Sequence, residues 1–476
     1  MKPLVLRSAG PLLAALVAWA CADLGVPAAC MAGIVTWMAL WWISEAAPLA
    51  ITSLLPLVLF PLCGILGTAE TALNYGRDII FLFLGGFLLA LGIERSGLHR
   101  RIALVIVSRV GASPARLVLG VMLASGFLSM WINSTAAVLV MLPIALSLVD
   151  GLRAGERHDR FAVAMLLAVA YGATIGGVAT PVGTPPNLIF LELAKQLLPD
   201  RAAIGFGQWM TFGVPFAAVY MLFAWGLLVF LHARHVPNHP HGAADVRVEL
   251  KELGRMRTAE HVAACFFSFA ALLWITGDDL TIGDTYTMPG WRLLTGWTGL
   301  SDAGVAIACA APLFLIPVGV NGDQKPLLNW DLAQSRLPWA VLLLIGSGFA
   351  LANGFTASGL DRVLGEVLAG WHFGSSALQV GVLGLGVVIL SELWSNTAVA
   401  SLVLPILAST APAWGLDPVS IMVPATIAAS CGFMLPIASP MQAIVFGTGR
   451  IPVRSMVLTG VWMDLIGVLL LVLFFM

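Results

Sequence analysis

Charge is what this chain has least of. Asp, Glu, Lys and Arg make up 10% of it, against 59% hydrophobic residues and a mean hydropathy of +0.95, a balance that excludes a water-soluble globule of 476 residues. The net charge is -1 and the basic residues are dispersed among loops, so the clustered Lys and Arg that a nucleic-acid partner requires are missing. Cysteine is scarce as well. Cys21, Cys30, Cys63, Cys265, Cys309 and Cys431 lie in or beside apolar runs without paired spacing, which implies neither a disulfide framework nor a zinc site. No Ser-His-Asp constellation, metal-ligand spacing or phosphate loop appears, so an enzyme is disfavoured and no organic cofactor is expected.

What is present is apolar sequence in segments of about 17–25 residues, the length of a bilayer-spanning helix. The expected fold is an all-α polytopic membrane protein of roughly eleven transmembrane helices. Lys2 and Arg7 precede the apolar run Leu12 to Ala22, which reads as a retained first helix and not a cleaved signal. Trp41 to Pro48 reads as an interfacial turn carrying Glu45 as a loop carboxylate.

Two polar stretches interrupt the apolar pattern. Ser129-Met130-Trp131-Ile132-Asn133-Ser134-Thr135-Ala136 and Ser391-Glu392-Leu393-Trp394-Ser395-Asn396-Thr397-Ala398 stand 262 residues apart, and the same offset lays Pro143 on Pro405 and Gly86-Phe87 on Gly348-Phe349. The chain is therefore a duplication. Each polar stretch sits inside an apolar segment too long for one span, Leu117 to Leu148 and Ser376 to Ala411. Each is expected to be the tip of a re-entrant hairpin, tolerated at membrane depth because protein surrounds it. A Pro-rich interruption follows each hairpin, Ala179 to Asn187 and Met434 to Gln442, where a spanning helix must unwind. The basic segment Glu94 to Gly111 and its mirror Asp361 to Ala369 read as helices lying on the membrane surface.

The expected organisation runs in five parts. Residues 1–111 hold scaffold helices and a surface helix, 112–231 a hairpin, broken helix and following helix, and 232–257 a cytoplasmic linker; 258–371 and 372–476 repeat the first two parts. An N-terminus inside and C-terminus outside leaves only Arg77, Lys195, Arg201, Arg292 and Arg362 of the 24 basic residues on the outer face. The hairpins then enter from opposite sides. Inverted repeats with broken helices mark a secondary transporter, where half-helix N-termini face an anion and unwound carbonyls with Ser, Thr and Asn oxygens face an alkali cation. A channel would need a continuous polar pathway in place of one compact polar cluster.

The chain resembles the divalent anion:sodium symporters, which carry di- and tricarboxylates or sulfate. The resemblance rests on Trp41-Trp42-Ile43-Ser44-Glu45, Phe83 to Phe87, Ala179-Thr180-Pro181 with Gly183 to Asn187, and Ser395-Asn396-Thr397. It departs from the family at the first tip, where Asn133-Ser134-Thr135 exchanges the first two residues of Ser-Asn-Thr, and at Ser439-Pro440-Met441-Gln442. The resemblance implies sodium-coupled symport of C4-type dicarboxylates in a plasma (inner) membrane by a homodimer working as an elevator. A sulfate symporter and a sodium-independent dicarboxylate exchanger are the alternatives. It also implies one sodium site at Ser129, Asn133, Ser134 and Gly183, and a second at Ser391, Trp394, Asn396 and Ala438. A divalent anion would contact Ser134, Thr135, Thr184, Pro185, Ser395, Asn396, Thr397, Ser439 and Pro440. Sodium is the coupling ion, and no cofactor is implied.

Overall fold

In hydrocarbon every backbone N–H and C=O must find a partner inside the protein, and a helix supplies nearly all of them within one segment. The computed structural model, which describes residues 2–476 except 112, 151–155, 200–203, 235, 237–241, 283–285, 320–324 and 371–373, is accordingly almost all helix. The chain opens with α1 (Lys2–Ala20) and α2 (Val26–Ser44), packed on each other, and turns at Glu45, whose φ of 48° ends α2 in the left-handed region. The next apolar segment is split into α3 (Leu49–Ser53) and α4 (Pro56–Leu62), because Pro56 stands where a continuous helix would need an N–H donor. After α5 (Thr68–Leu73) comes α6 (Asp78–Ser96), then Gly97 in the left-handed region, then the amphipathic α7 (Leu98–Val110).

The first hairpin is α8 (Pro114–Ser129) and α9 (Ser134–Asp150). It is followed by α10 (Glu156–Val178), the short α11 (Pro185–Leu197) and α12 (Phe206–Leu228). The linker contains α13 (Gly242–Glu252), which its polar composition did not announce; residues 235 and 237–241 of that linker lie outside the described residues, as do Arg153 and Arg201 of the charge count. The second half begins with α14 (Thr258–Ile275). A two-stranded ribbon, β1 (Leu280–Ile282) against β2 (Tyr286–Met288), and α15 (Trp291–Thr295) fill the polar loop before α16 (Asp302–Ala310). Then come α17 (Trp330–Arg336), α18 (Trp339–Ser358), α19 (Leu360–Ala369), the second hairpin α20 (Ser376–Leu393) and α21 (Asn396–Thr410), and α22 (Pro418–Ala428), α23 (Pro440–Phe446) and α24 (Val453–Phe475).

Among the described residues nine helices are long and apolar enough to cross a membrane. The segments expected as the first, third and eighth spans are shorter apolar helices: Leu6–Ala20, Leu49–Leu62 and Asp302–Phe314. Helix α7 is less free for lipid than its three arginines suggested. Arg100 pairs with Glu249 of α13 at 2.5 Å and Arg101 with Glu260 of α14 at 2.6 Å, so two of the three are held by protein.

The two halves exchange equivalent partners. Helix α11 packs on α21 and α22, while its counterpart α23 packs on α9 and α10. Only a two-fold relation produces both pairings. At the centre lies α10, every residue of which from Phe161 to Val178 is buried in protein, as an all-round apolar helix must be. It approaches α8 through glycines: a Cβ on Gly176 would lie 2.2 Å from the Gly126 carbonyl oxygen, and one on Gly172 would lie 2.6 Å from that of Met122.

Gly176→Ala should therefore force α8 and α10 apart and destabilise the detergent-solubilised protein by about 1–3 kcal/mol. Gly86→Ala, whose Cβ would meet only Val182 Cγ1 at 3.7 Å, should leave the melting temperature unchanged. Equal melting of the two variants would contradict this packing.

Candidate functional site

The first tip is the four-residue gap between α8 and α9. Ser129 closes α8 and Ser134 opens α9, and their hydroxyl oxygens stand 2.7 Å apart, both buried. Ser134 Oγ donates onward to the Gly183 carbonyl at 3.3 Å, so the tip is joined to the unwound stretch after α10. That stretch is held by neutral groups from three sides. Thr180 Oγ1 donates to the Met130 carbonyl, Trp209 Nε1 to that of Val178 at 3.0 Å, and Asn187 Nδ2 reaches the carbonyls of Gly177, Val178 and Thr180 at 3.2, 3.2 and 2.8 Å. Gly183 has no room for a side chain, since a Cβ there would lie 2.4 Å from the Gly177 carbonyl oxygen.

Asn133 and Ser134 take different jobs. Asn133 Oδ1 accepts the Thr135 N–H at 2.8 Å, the bond of a helix N-cap, and the residue lines a small pocket with Phe83, Gly86, Phe87, Ala90, Trp131 and Val182. Ser134 stands beside Ser129 and Gly183. The exchange in this tip thus hands the inner position to a hydroxyl and the capping position to an amide.

The second tip keeps the amide inside. Ser391 Oγ contacts Asn396 Oδ1 at 2.9 Å and the Ala429 carbonyl at 2.6 Å. A hydroxyl, a side-chain amide and a backbone carbonyl thus converge on Ser391, a set of neutral groups rich in oxygen. The residues present therefore fit an alkali cation, whose ligands are oxygens. Trp394 and Ser395 are non-helical, which lets the chain reverse between α20 and α21. The second break is wider than the Met434 to Gln442 expected from its prolines, because α22 already ends at Ala428 and α23 starts only at Pro440. Ala438 lies buried within it. Among the described residues no group of three or more His, Cys, Asp or Glu gathers as a metal cluster.

Both tips face both breaks. Thr135 of the first tip lies 4.0 Å from Met441 Sδ at the second break, and α11, which starts at the first break, packs on α21 of the second tip. Of the residues assigned to the anion, Ser134, Thr397 and Ser439 are buried, Thr135, Thr184, Pro185 and Asn396 half-buried, and Ser395 and Pro440 exposed. Helices α9, α11 and α21 all start at these points, directing N–H groups and partial positive charge toward them. Arg77 packs nearby against α11 but is occupied by Glu192 at 2.6 Å and by Asn74.

Two acids escaped the sequence reading. Glu392, beside Ser391, and Asp464, in the middle of α24, are both buried and accept backbone N–H groups of the second break. Each is an acid flanked by apolar sequence, the pattern that marks functional intramembrane carboxylates.

Fold and site together define a polytopic membrane protein of the repeated-half, broken-helix class. The chain belongs to the family described by the sodium:sulfate symporter transmembrane region, which matches residues 11–476. It is 40% identical over 448 residues to the sodium-dependent dicarboxylate transporter SdcS of Staphylococcus saprophyticus, covering 92% of this chain and 84% of that one. Against SdcS of Staphylococcus aureus NCTC 8325 the identity is 39% over 453 residues, with the same coverage. Among solved structures, Neisseria gonorrhoeae MtrF superposes with a TM-score of 0.55 at 14% identity, over 86% of this chain and 82% of that one. Alcanivorax borkumensis YdaH gives 0.53 at 19%, over 84% and 86%. Both likenesses concern the fold.

If Asn133 is a cap, Asn133→Ser and Asn133→Asp should retain wild-type thermal stability while Asn133→Ala loses about 1 kcal/mol. Equal melting of all three would remove the capping role.

Proposed function

We propose that this protein is a sodium-coupled symporter of C4-type dicarboxylates. The observation that carries the reading is the pair of oxygen clusters, Ser129-Ser134-Gly183 and Ser391-Asn396 with the break that holds Ala438, set where helix N-termini converge. The clusters supply neutral oxygens for sodium, and the N-termini supply donors for an anion. The relatives' dependence on sodium and their dicarboxylate substrates, at 39–40% identity over 92% of this chain, support the substrate class.

In this reading Asn133 supports the first sodium site as a cap, Trp394 supplies a carbonyl to the second, and the anion lies between Ser134, Thr135, Thr184 and Pro185 on one side and Ser395, Asn396, Thr397, Ser439 and Pro440 on the other. The parts 112–231 and 372–476 move as a transport unit against scaffold parts 1–111 and 258–371. The working form is a homodimer in the inner membrane, N-terminus inside and C-terminus outside. The protein acts as a carrier and not as an enzyme.

A pocket without a fixed Arg or Lys neutralises only the charge its sodium ions bring, so uncompensated anion charge is costly and the dianion is the favoured cargo. Dicarboxylate uptake into proteoliposomes at a clamped inward sodium gradient should fall as external pH drops through the carboxyl range of about 4 to 5, tracking the dianion. It should vanish when choline replaces sodium. The family description makes sulfate the competing cargo; sulfate stays a dianion across that interval, so uptake of sulfate in preference to dicarboxylate, flat with pH, would favour it. Uptake that persists in choline would refute symport. Asn396→Ala should abolish uptake in a protein that still folds, because it removes an oxygen from the cation and a donor from the anion together.

A further inference from the structure

The second break carries three consecutive N–H groups that no helix satisfies. Phe433 N donates to Asp464 Oδ1 at 3.2 Å, Met434 N to Glu392 Oε1 at 2.6 Å and Leu435 N to Glu392 Oε2 at 2.8 Å. The two carboxyl groups thus hold adjoining amides. Neighbouring carbonyls are matched from other elements: Ala429 by Ser391 Oγ, Gly432 by Gln442 Nε2 at 2.9 Å and Phe433 by Tyr171 Oη at 3.4 Å. Helix α24 comes close enough to do this because Gly460 lies against Phe433 and Met434, where a Cβ would sit 2.4 Å from the Phe433 carbonyl oxygen.

The first break has no such acids. Aligning Ala170 to Asn187 with Ala425 to Gln442 places Gly177 on Gly432 and Gly183 on Ala438, and the 262-residue offset of the tips puts Met130 where Glu392 stands. Gly213, which approaches the Ala179 carbonyl as Gly460 approaches the second break, puts Ala217 in the place of Asp464. The acid pair therefore belongs to one half alone.

We infer that Glu392 is a positioning residue: its carboxylate spans from the second tip to the second break and fixes the distance between Ser391 and the Ala438 carbonyl, and Asp464 anchors the same stretch to α24. The role follows from reach. Glu392 adjoins Ser391 on α20, while the N–H groups it accepts lie three and four residues before Ala438. Cutting one bond lets the break relax, and the second cation site loses its spacing while its ligands remain. The inference rests on the sodium-site reading above.

The test uses the full chain and two readouts. In Glu392→Gln one carboxylate oxygen becomes an amide nitrogen that cannot accept, so the sodium concentration for half-maximal dicarboxylate uptake should rise about tenfold, the loss of one charge-assisted hydrogen bond. The KM for dicarboxylate at saturating sodium should change far less. Hydrogen exchange at Phe433 to Leu435, followed by mass spectrometry in detergent, should accelerate in the same variant and in Glu392→Asp, which withdraws the carboxylate by one methylene. Asp464→Asn keeps the acceptor for Phe433 N and leaves both Glu392 bonds in place, so it should keep wild-type sodium activation. Unchanged exchange at those amides in both Glu392 variants would overturn the clamp whatever the sodium result. Equal loss of sodium affinity in Asp464→Asn and Glu392→Gln would overturn it too, because negative charge and not the N–H bonds would then be responsible. Faster exchange alongside wild-type uptake that ignores sodium would leave the clamp standing and refute symport instead.

Discussion

The structure depends on one constraint: a helix opened inside a membrane must have its freed backbone groups matched by something other than water. An unmatched amide in hydrocarbon costs several kcal/mol, more than any single contact here can return. Each opening is accordingly surrounded by groups drawn from other helices. At the first, Asn187 and Trp209 donate to its carbonyls, and Thr180 of the opening donates to the Met130 carbonyl of the tip. At the second, Glu392 and Asp464 accept from N–H groups while Gln442 donates to a carbonyl. The openings survive because the hairpins and α24 are pressed against them.

That requirement also produces the chemistry. Oxygens and N–H groups cannot be left over in lipid, so polar atoms gather where a ligand can complete them. Ser391 meets the Asn396 amide and the Ala429 carbonyl, and the oxygens of Ser129 and Ser134 lie together beside the Gly183 carbonyl. Two-fold pairing of the halves brings α9 to α23 and α21 to α11, so each half closes the other's site. The halves differ in how they are fastened: neutral side chains hold carbonyls in both, and carboxylates on amides are added in the second.

Much of this was legible in the sequence, for identifiable reasons. The 262-residue offset, the Pro-rich interruptions and the two polar tips fall where the structure has its hairpins and breaks, because Pro and clustered hydroxyls in apolar sequence leave few alternatives. Helix α13 and the β1–β2 ribbon were not legible, since short amphipathic elements in a polar segment lack a hydrophobic period strong enough to stand out. The division of labour between Asn133 and Ser134 was not legible either, because residue order alone does not say which side chain turns inward and which caps the helix. Glu392 could have been found from its apolar flanks. Its partners could not, because the N–H groups it accepts are 42 and 43 residues away and depend on how far the second helix unwinds.

The central claim is that oxygen clusters and anion donors form one pocket, so that cation and anion are linked in free energy. Linkage is reciprocal: whatever sodium does for the anion, the anion does for sodium. The direct measurement is equilibrium binding of a C4 dicarboxylate to the purified protein by calorimetry, titrated at rising sodium with choline keeping ionic strength constant. The account predicts an affinity that climbs with sodium more steeply than first order, reflecting two occupied cation sites. An affinity that is the same in sodium and in choline would contradict it.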